Sequence, residues 1–86
     1  MAQPPQNFQY NIATKTLSWS PVLPDCEYSI SYQKSGELAW HQLYEGTDTN
    51  CSFNYPTGRY LVKGKSKGRG EPNWGPEGNP EEILLP

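Results

Sequence analysis

Short apolar–polar alternations, each broken by proline or glycine, run the length of this chain and predict strands rather than helices. From Cys26 to Gln33 the alternation is clean. Cys26, Tyr28, Ile30 and Tyr32 take one face and Glu27, Ser29, Ser31 and Gln33 the other, the pattern of a half-buried antiparallel strand. Thr16 to Ser20 places Leu17 and Trp19 on a common face, and Pro21 and Pro24 close that segment. Ala39 to Glu45, carrying Trp40, Leu43 and Tyr44, follows a turn at Lys34-Ser35-Gly36-Glu37 and ends at Gly46-Thr47-Asp48. Cys51, Phe53 and Tyr55 line one face of the next segment, and Pro56-Thr57-Gly58 is a further turn. Tyr60 and Val62 then alternate with Arg59, Leu61, Lys63 and Lys65. Pro4 to Phe8 reads as an edge-strand opening, where proline costs no ladder donor. Glu81 to Leu85 is the last strand, after a long polar loop from Lys67 to Gly78. Apolar residues nowhere keep a 3.6-residue period for three turns. Seven short strands with turn signals between them read as an antiparallel β-sandwich.

Composition narrows this to one domain over residues 1–86. Eighty-six residues can bury a single core and lie at the small end of what folds alone. Nine prolines and eight glycines supply the turns, while three tryptophans, six tyrosines and two phenylalanines supply bulky core material. A net charge of −2 gives no reason to expect nucleic acid or an anionic membrane as partner. The charges are nevertheless segregated: Arg59, Lys63, Lys65, Lys67 and Arg69 come without an acid among them, and Glu71, Glu77, Glu81 and Glu82 follow without a base. The simplest account is a solvated strand face beside an acidic neighbour. No segment has the length to span a bilayer. Met1-Ala2-Gln3-Pro4-Pro5 lacks the basic start and apolar run of a signal peptide, and the chain reads as a monomeric module cut from a longer protein.

The order of these features resembles the fibronectin type III family over nearly the whole chain. Pro4 or Pro5 matches its opening proline. Leu17-Ser18-Trp19-Ser20-Pro21 is similar to its second-strand signature, and Tyr28-Ser29-Ile30-Ser31-Tyr32 to its third. Tyr55-Pro56-Thr57-Gly58-Arg59-Tyr60 looks like its tyrosine corner, one residue short and with threonine and glycine exchanged. The resemblance implies an immunoglobulin-like sandwich with Leu17, Trp19, Tyr28, Ile30, Tyr32, Tyr60 and Val62 as core. The physical roles stand beside it. Trp19 is large enough to span the roughly 10 Å between packed sheets, and Tyr60 can bury its ring while its hydroxyl satisfies a backbone group at a crossover.

In a sandwich of that connectivity Cys26 begins the third strand and Cys51 the fifth, at one end of the molecule, so a disulfide is sterically reasonable. It would close a loop of about 26 residues, for roughly 3.5 kcal/mol in the chain-entropy model. The alternative is two buried thiols in a cytosolic domain. Asn50-Cys51-Ser52 fits the N-glycosylation sequon, which requires an exposed Asn50 and a secretory route. With His41 the only other soft ligand, a metal site is not expected, and no cofactor is expected either.

Nothing in the chain argues for an enzyme. His41 stands alone within a strand pattern, and Glu81 and Glu82, adjacent on a strand, face opposite ways. The Lys67–Pro76 loop invites a binding role, since recognition usually sits on loops held by a rigid scaffold. Arg69-Gly70-Glu71 looks like the integrin-binding Arg-Gly-Asp tripeptide, with a carboxylate one methylene too long. Trp74 is similar to one tryptophan of the Trp-Ser-x-Trp-Ser motif in cytokine-receptor members of the family, which stacks on basic side chains of the preceding strand. Lys63 and Lys65 hold that outward register, so the resemblance implies a cation–π contact; the plainer role for Trp74 is to cap the open core edge. Lys63, Lys65, Lys67, Arg69, Glu71, Asn73 and Trp74 are therefore the candidate partner-binding residues. The expected function is a non-catalytic protein-binding or spacer module from the extracellular part of a receptor or adhesion protein, with a protein ligand or neighbouring domains as partners. Two alternatives stand beside it. One is an accessory domain of a secreted carbohydrate-active enzyme, with Trp40, Tyr44 and Trp74 as sugar platforms; the other is an intracellular scaffold domain with free thiols.

Overall fold

A computed structural model describes residues 3–22 and 26–86. It contains strands β1 (Gln9–Asn11), β2 (Thr16–Ser18), β3 (Cys26–Lys34), β4 (His41–Gly46), β5 (Asn50–Ser52), β6 (Gly58–Gly68) and β7 (Glu81–Leu85), with no helix among the described residues. They form two antiparallel sheets, one in the order β1-β2-β5 and the other β4-β3-β6-β7. The all-β expectation and the seven strands are seen, with shifted bounds. The opening strand is Gln9–Asn11 rather than Pro4–Phe8. Gln3–Phe8 is instead an irregular strap, and its Pro5 and Phe8 are buried. The last alternating residues before the long loop extend β6 to Gly68.

The alternating residues meet where the sheets face each other. Leu17, Trp19, Phe53, Tyr28, Ile30, Tyr60, Val62, Ile83 and Leu85 are buried in one cluster. Removing their apolar surface from water is the main stabilising term, at about 25 cal/mol per Å². Trp19 bridges the layers, its ring 6.0 Å from Tyr28 and 5.7 Å from Tyr44. Tyr32 belongs to the core rim: it is partly buried against Phe53 at 5.6 Å and Tyr60 at 6.2 Å. A bulge opposite Ile30/Ser31 lets the adjacent residues Leu43 and Tyr44 of β4 both pack on the core, because the extra residue resets the alternation. Tyr60 makes the expected corner, its hydroxyl donating to the Pro56 carbonyl at 2.8 Å.

The strap closes one side of the sandwich. Asn7 sits at φ 60°, which asparagine tolerates better than most residues. The consecutive N–H groups of Asn7 and Phe8 both donate to the Glu81 carboxylate at 3.2 Å. Pro5 is seated over Gly64: a Cβ there would lie 2.7 Å from Ile30 Cδ1 and 2.8 Å from Pro5 Cγ, so only glycine fits. Ser66, fully buried, donates its hydroxyl to the Gln3 carbonyl.

Candidate functional site

The outward face of the four-stranded sheet is built by the residues that alternate with the core. Lys63, Lys65 and Lys67 project from β6 between the buried Val62, Gly64 and Ser66. Their neighbours across the ladder on β3 are Ser31, Ser29 and Glu27. The two serines are short, which leaves room for lysine stems and large rings to lie over the sheet.

The segment after β6 is not a free loop. The Gly75 N–H donates to the Ser66 carbonyl at 2.8 Å and the Gly78 N–H to the Gly64 carbonyl at 2.9 Å, so residues 74–78 run beside β6. This lays Trp74 against two cations, with Lys67 Nζ 4.8 Å and Lys65 Nζ 5.6 Å from its ring centroid. Lys63, expected beneath Trp74, instead places its Nζ 4.2 Å from the ring of Trp40, at the approach to β4. Carboxylates complete the array: Glu77 lies 3.6 Å from Lys63 and Glu27 3.8 Å from Lys67, while Arg59 meets Glu82 at 3.5 Å. The segregated charges of the sequence are thus brought together in space. Each pair is partly exposed and adds little alone, but the ladder of rings, ammonium groups and carboxylates holds the 74–78 segment down at several points.

Most of the candidate contact residues are therefore engaged within the molecule. Lys63, Lys65, Lys67 and Trp74 belong to the ladder. Glu71 closes its own turn: its Oε1 accepts the Gly68 N–H at 2.7 Å, and its N–H donates to the Gly68 carbonyl at 3.0 Å. Gly70, at φ +87°, makes that turn feasible. Arg69 and Asn73 remain exposed at the tip. Trp40 was expected only as a sugar platform, and Glu27 and Glu77 were not among the expected site residues; the short outward serines of β3 leave room for a ring to reach Lys63, which strand register alone does not show. Tyr44 is no sugar platform, because its ring packs on Trp19 and its hydroxyl accepts the Asp48 N–H at 2.9 Å.

The cysteines do not meet. Both are free thiols, Cys26 buried and Cys51 half-buried, and the expectation that they share one end is corrected by the register. Cys51 pairs with Leu17 on β2. It lies between Thr49, whose carbonyl accepts the Trp19 N–H, and Phe53, which packs on Tyr32. Trp19 is level with Tyr28, so Cys51 is level with Ile30, four residues along β3 from Cys26. At about 3.3 Å per residue that is roughly 13 Å along the strand, on the opposite sheet, against the 4.4–6.8 Å Cα separation that a disulfide needs. Burial pushes the Cys51 thiol up to about 11. Asn50 is exposed on the edge strand β5.

At the other end of the sandwich, Tyr32 stacks against Tyr55 at 4.9 Å and His41 at 5.3 Å. Its hydroxyl is pushed up to about 12, first by the hydrogen bond with Tyr55 and then by burial. Burial likewise raises Tyr60. Among the described residues, His, Cys, Asp and Glu form no cluster of three that could hold a metal ion. Compared with known proteins, the chain matches no family model, and no curated protein is significantly similar to it.

Proposed function

We propose that this chain is a fibronectin type III-like module that works by presenting a rigid surface, as a non-catalytic protein-binding or spacer domain of a receptor or adhesion protein. The observation that carries the reading is the ladder on the four-stranded sheet, with Trp74 laid between Lys65 and Lys67 and Trp40 over Lys63. Such a ladder resembles the stacked tryptophans and basic side chains of cytokine-receptor modules. The three-plus-four strand arrangement and the hydroxyl of Tyr60 on the Pro56 carbonyl support the family reading. The ladder's role is to stiffen the last two strands and the segment between them, so that tips and ends are held in fixed positions.

An extracellular location draws support from Asn50, which is exposed on an edge strand and heads an Asn-Cys-Ser sequon. A second reading, an intracellular scaffold domain, is favoured by the two separated thiols. Intact-mass measurement of the protein from its native source, with thiol titration under denaturing conditions, separates the two. An N-linked glycan on Asn50 supports the ectodomain. An unmodified chain with two titratable thiols overturns it in favour of the scaffold. The sugar-platform alternative loses support from the packing of Tyr44 and from the lysines lying over Trp40 and Trp74.

A further inference from the structure

All four large apolar side chains left exposed among the described residues, Ile12, Leu38, Tyr55 and Leu84, fall at one end of the sandwich. Ile12 lies in the β1–β2 turn, Leu38 in the β3–β4 loop and Tyr55 in the β5–β6 connection. Leu84 pairs with Arg59 at the start of β6, which is the same end. Scattered exposed leucines need no explanation, whereas their collection at one end marks a contact region. That end also holds an open groove of about 540 Å³, lined by Ile12, Thr57, Gly58, Arg59, Leu84 and the terminal Leu85-Pro86.

The groove lies where two edge strands approach each other without pairing. β7 is the last strand of its sheet and β1 the last of the other. The Glu81 carboxylate ties the strap to the head of β7, but no ladder joins β1 to β7 further down. A seam with free strand backbone beside it fits an extended chain, which can add hydrogen bonds to an edge while alternate side chains enter the apolar groove. The rim sets the charge of that chain. Lys34 and, in the same turn as Ile12, Lys15 are exposed and take part in no ion pair among the described residues; with Arg59 they outnumber the acids of that end, Glu37 and Glu82. The Lys34 stem reaches Gly58 on the groove wall, and among the described residues Arg59 has one ion pair, its 3.5 Å contact with Glu82.

We propose that the seam at Leu84 and Ile12 docks an extended segment of a partner protein in which aliphatic side chains alternate with carboxylates. The aliphatic groups enter the groove, and the carboxylates meet Lys15, Lys34 and Arg59. This rests on the reading of the chain as a binding module and names the surface and the chemistry of what it binds.

The test uses a blocked heptapeptide of alternating valine and glutamate, titrated into the ¹⁵N-labelled chain and followed by amide shifts and hydrogen exchange. The expected result is shifts at Ile12, Leu84 and Leu85 with slowed exchange along β7. Both effects are lost in Leu84→Asp and Ile12→Asp, two exposed positions whose variants keep the wild-type fold as judged by melting. A peptide with lysine in place of glutamate should not bind. No shifts at millimolar peptide, or shifts confined to the β4 edge, the β5 edge or the Arg69–Asn73 tip, would overturn the proposal. So would wild-type self-association in sedimentation that Leu84→Asp abolishes, since the occupant would then be a second copy. Failure here with an intact Trp74 ladder leaves the module reading standing, and the two are thereby told apart.

Discussion

Replacing Trp74 with alanine removes the piece that holds the 74–78 segment against β6, and the size of the effect follows from its surroundings. Trp74 is partly buried. With a fully buried tryptophan covering about 200 Å², about two-thirds of that at about 25 cal/mol per Å² gives roughly 3 kcal/mol as an upper estimate. The ammonium groups of Lys67 and Lys65 stand 4.8 and 5.6 Å from the ring centroid, and cation–π contacts of this partly exposed kind contribute about 0.5–1 kcal/mol each. Relaxation of the lysine stems over the vacated surface recovers part of both, leaving an expected loss of about 2–3 kcal/mol. In a domain of this size that lowers Tm by roughly 10–20 °C. Urea denaturation of Trp74→Ala, Lys67→Met and the double variant isolates the pair, because methionine keeps the stem and removes the charge. A coupling energy of about 0.5–1 kcal/mol is expected for the pair. Additivity within about 0.3 kcal/mol, or a Trp74→Ala variant as stable as the parent, would refute the ladder as a structural element.

Four further outcomes follow from the packing. Gly64→Ala puts a methyl group 2.7 Å from Ile30 and 2.8 Å from Pro5, and should cost about 1–3 kcal/mol by urea denaturation; a neutral result would mean the strap does not sit on Gly64. Tyr60→Phe keeps the ring and strips the Pro56 carbonyl of its donor, for an expected loss of about 1 kcal/mol; unchanged stability would argue against the corner. At pH 8 a Cys51 thiol held near 11 rather than 9.0 carries about a hundredfold less thiolate, so its alkylation in the folded chain should be slower by about that factor than in urea. The same groups predict an alkaline limb to stability. Cys51, Tyr32 and Tyr60 are all raised, so the folded state keeps protons that the unfolded chain releases. The stabilisation is present below about pH 9 and is lost progressively toward pH 12. A stability curve flat across that interval would contradict the burial assigned to these side chains.

The fold was legible because period-two alternation and burial report the same thing. Leu17, Trp19, Tyr28, Ile30, Tyr60 and Val62 point inward as the pattern requires, and Tyr60 finds its backbone acceptor four residues upstream. Irregular backbone was less legible. Pro4 to Phe8 has the composition of an edge strand, yet it lies in a strap held at both ends from over sixty residues away, by Ser66 at Gln3 and by Glu81 at Asn7 and Phe8. At the candidate site, the pairing of Trp74 with Lys65 could be read from strand register. The shift of Lys63 to Trp40 could not, because it depends on Ser29 and Ser31 leaving space over the neighbouring strand. The cysteines show the limit of reasoning from strand order alone. Both were expected to begin strands, but Cys51 is the middle residue of β5, level with Ile30, while Cys26 opens β3 at the far end.

The central claim is that the basic strand is stacked and internally paired rather than free for a ligand. Proton shifts of the lysine Cε–Hε groups, assigned by comparing the parent with Trp74→Ala and Trp40→Ala, test it most directly. The ladder predicts upfield ring-current shifts for Lys65 and Lys67 that vanish with Trp74, and for Lys63 that vanish with Trp40. Lysine shifts at free-chain values in the parent, unmoved by either substitution, would contradict it.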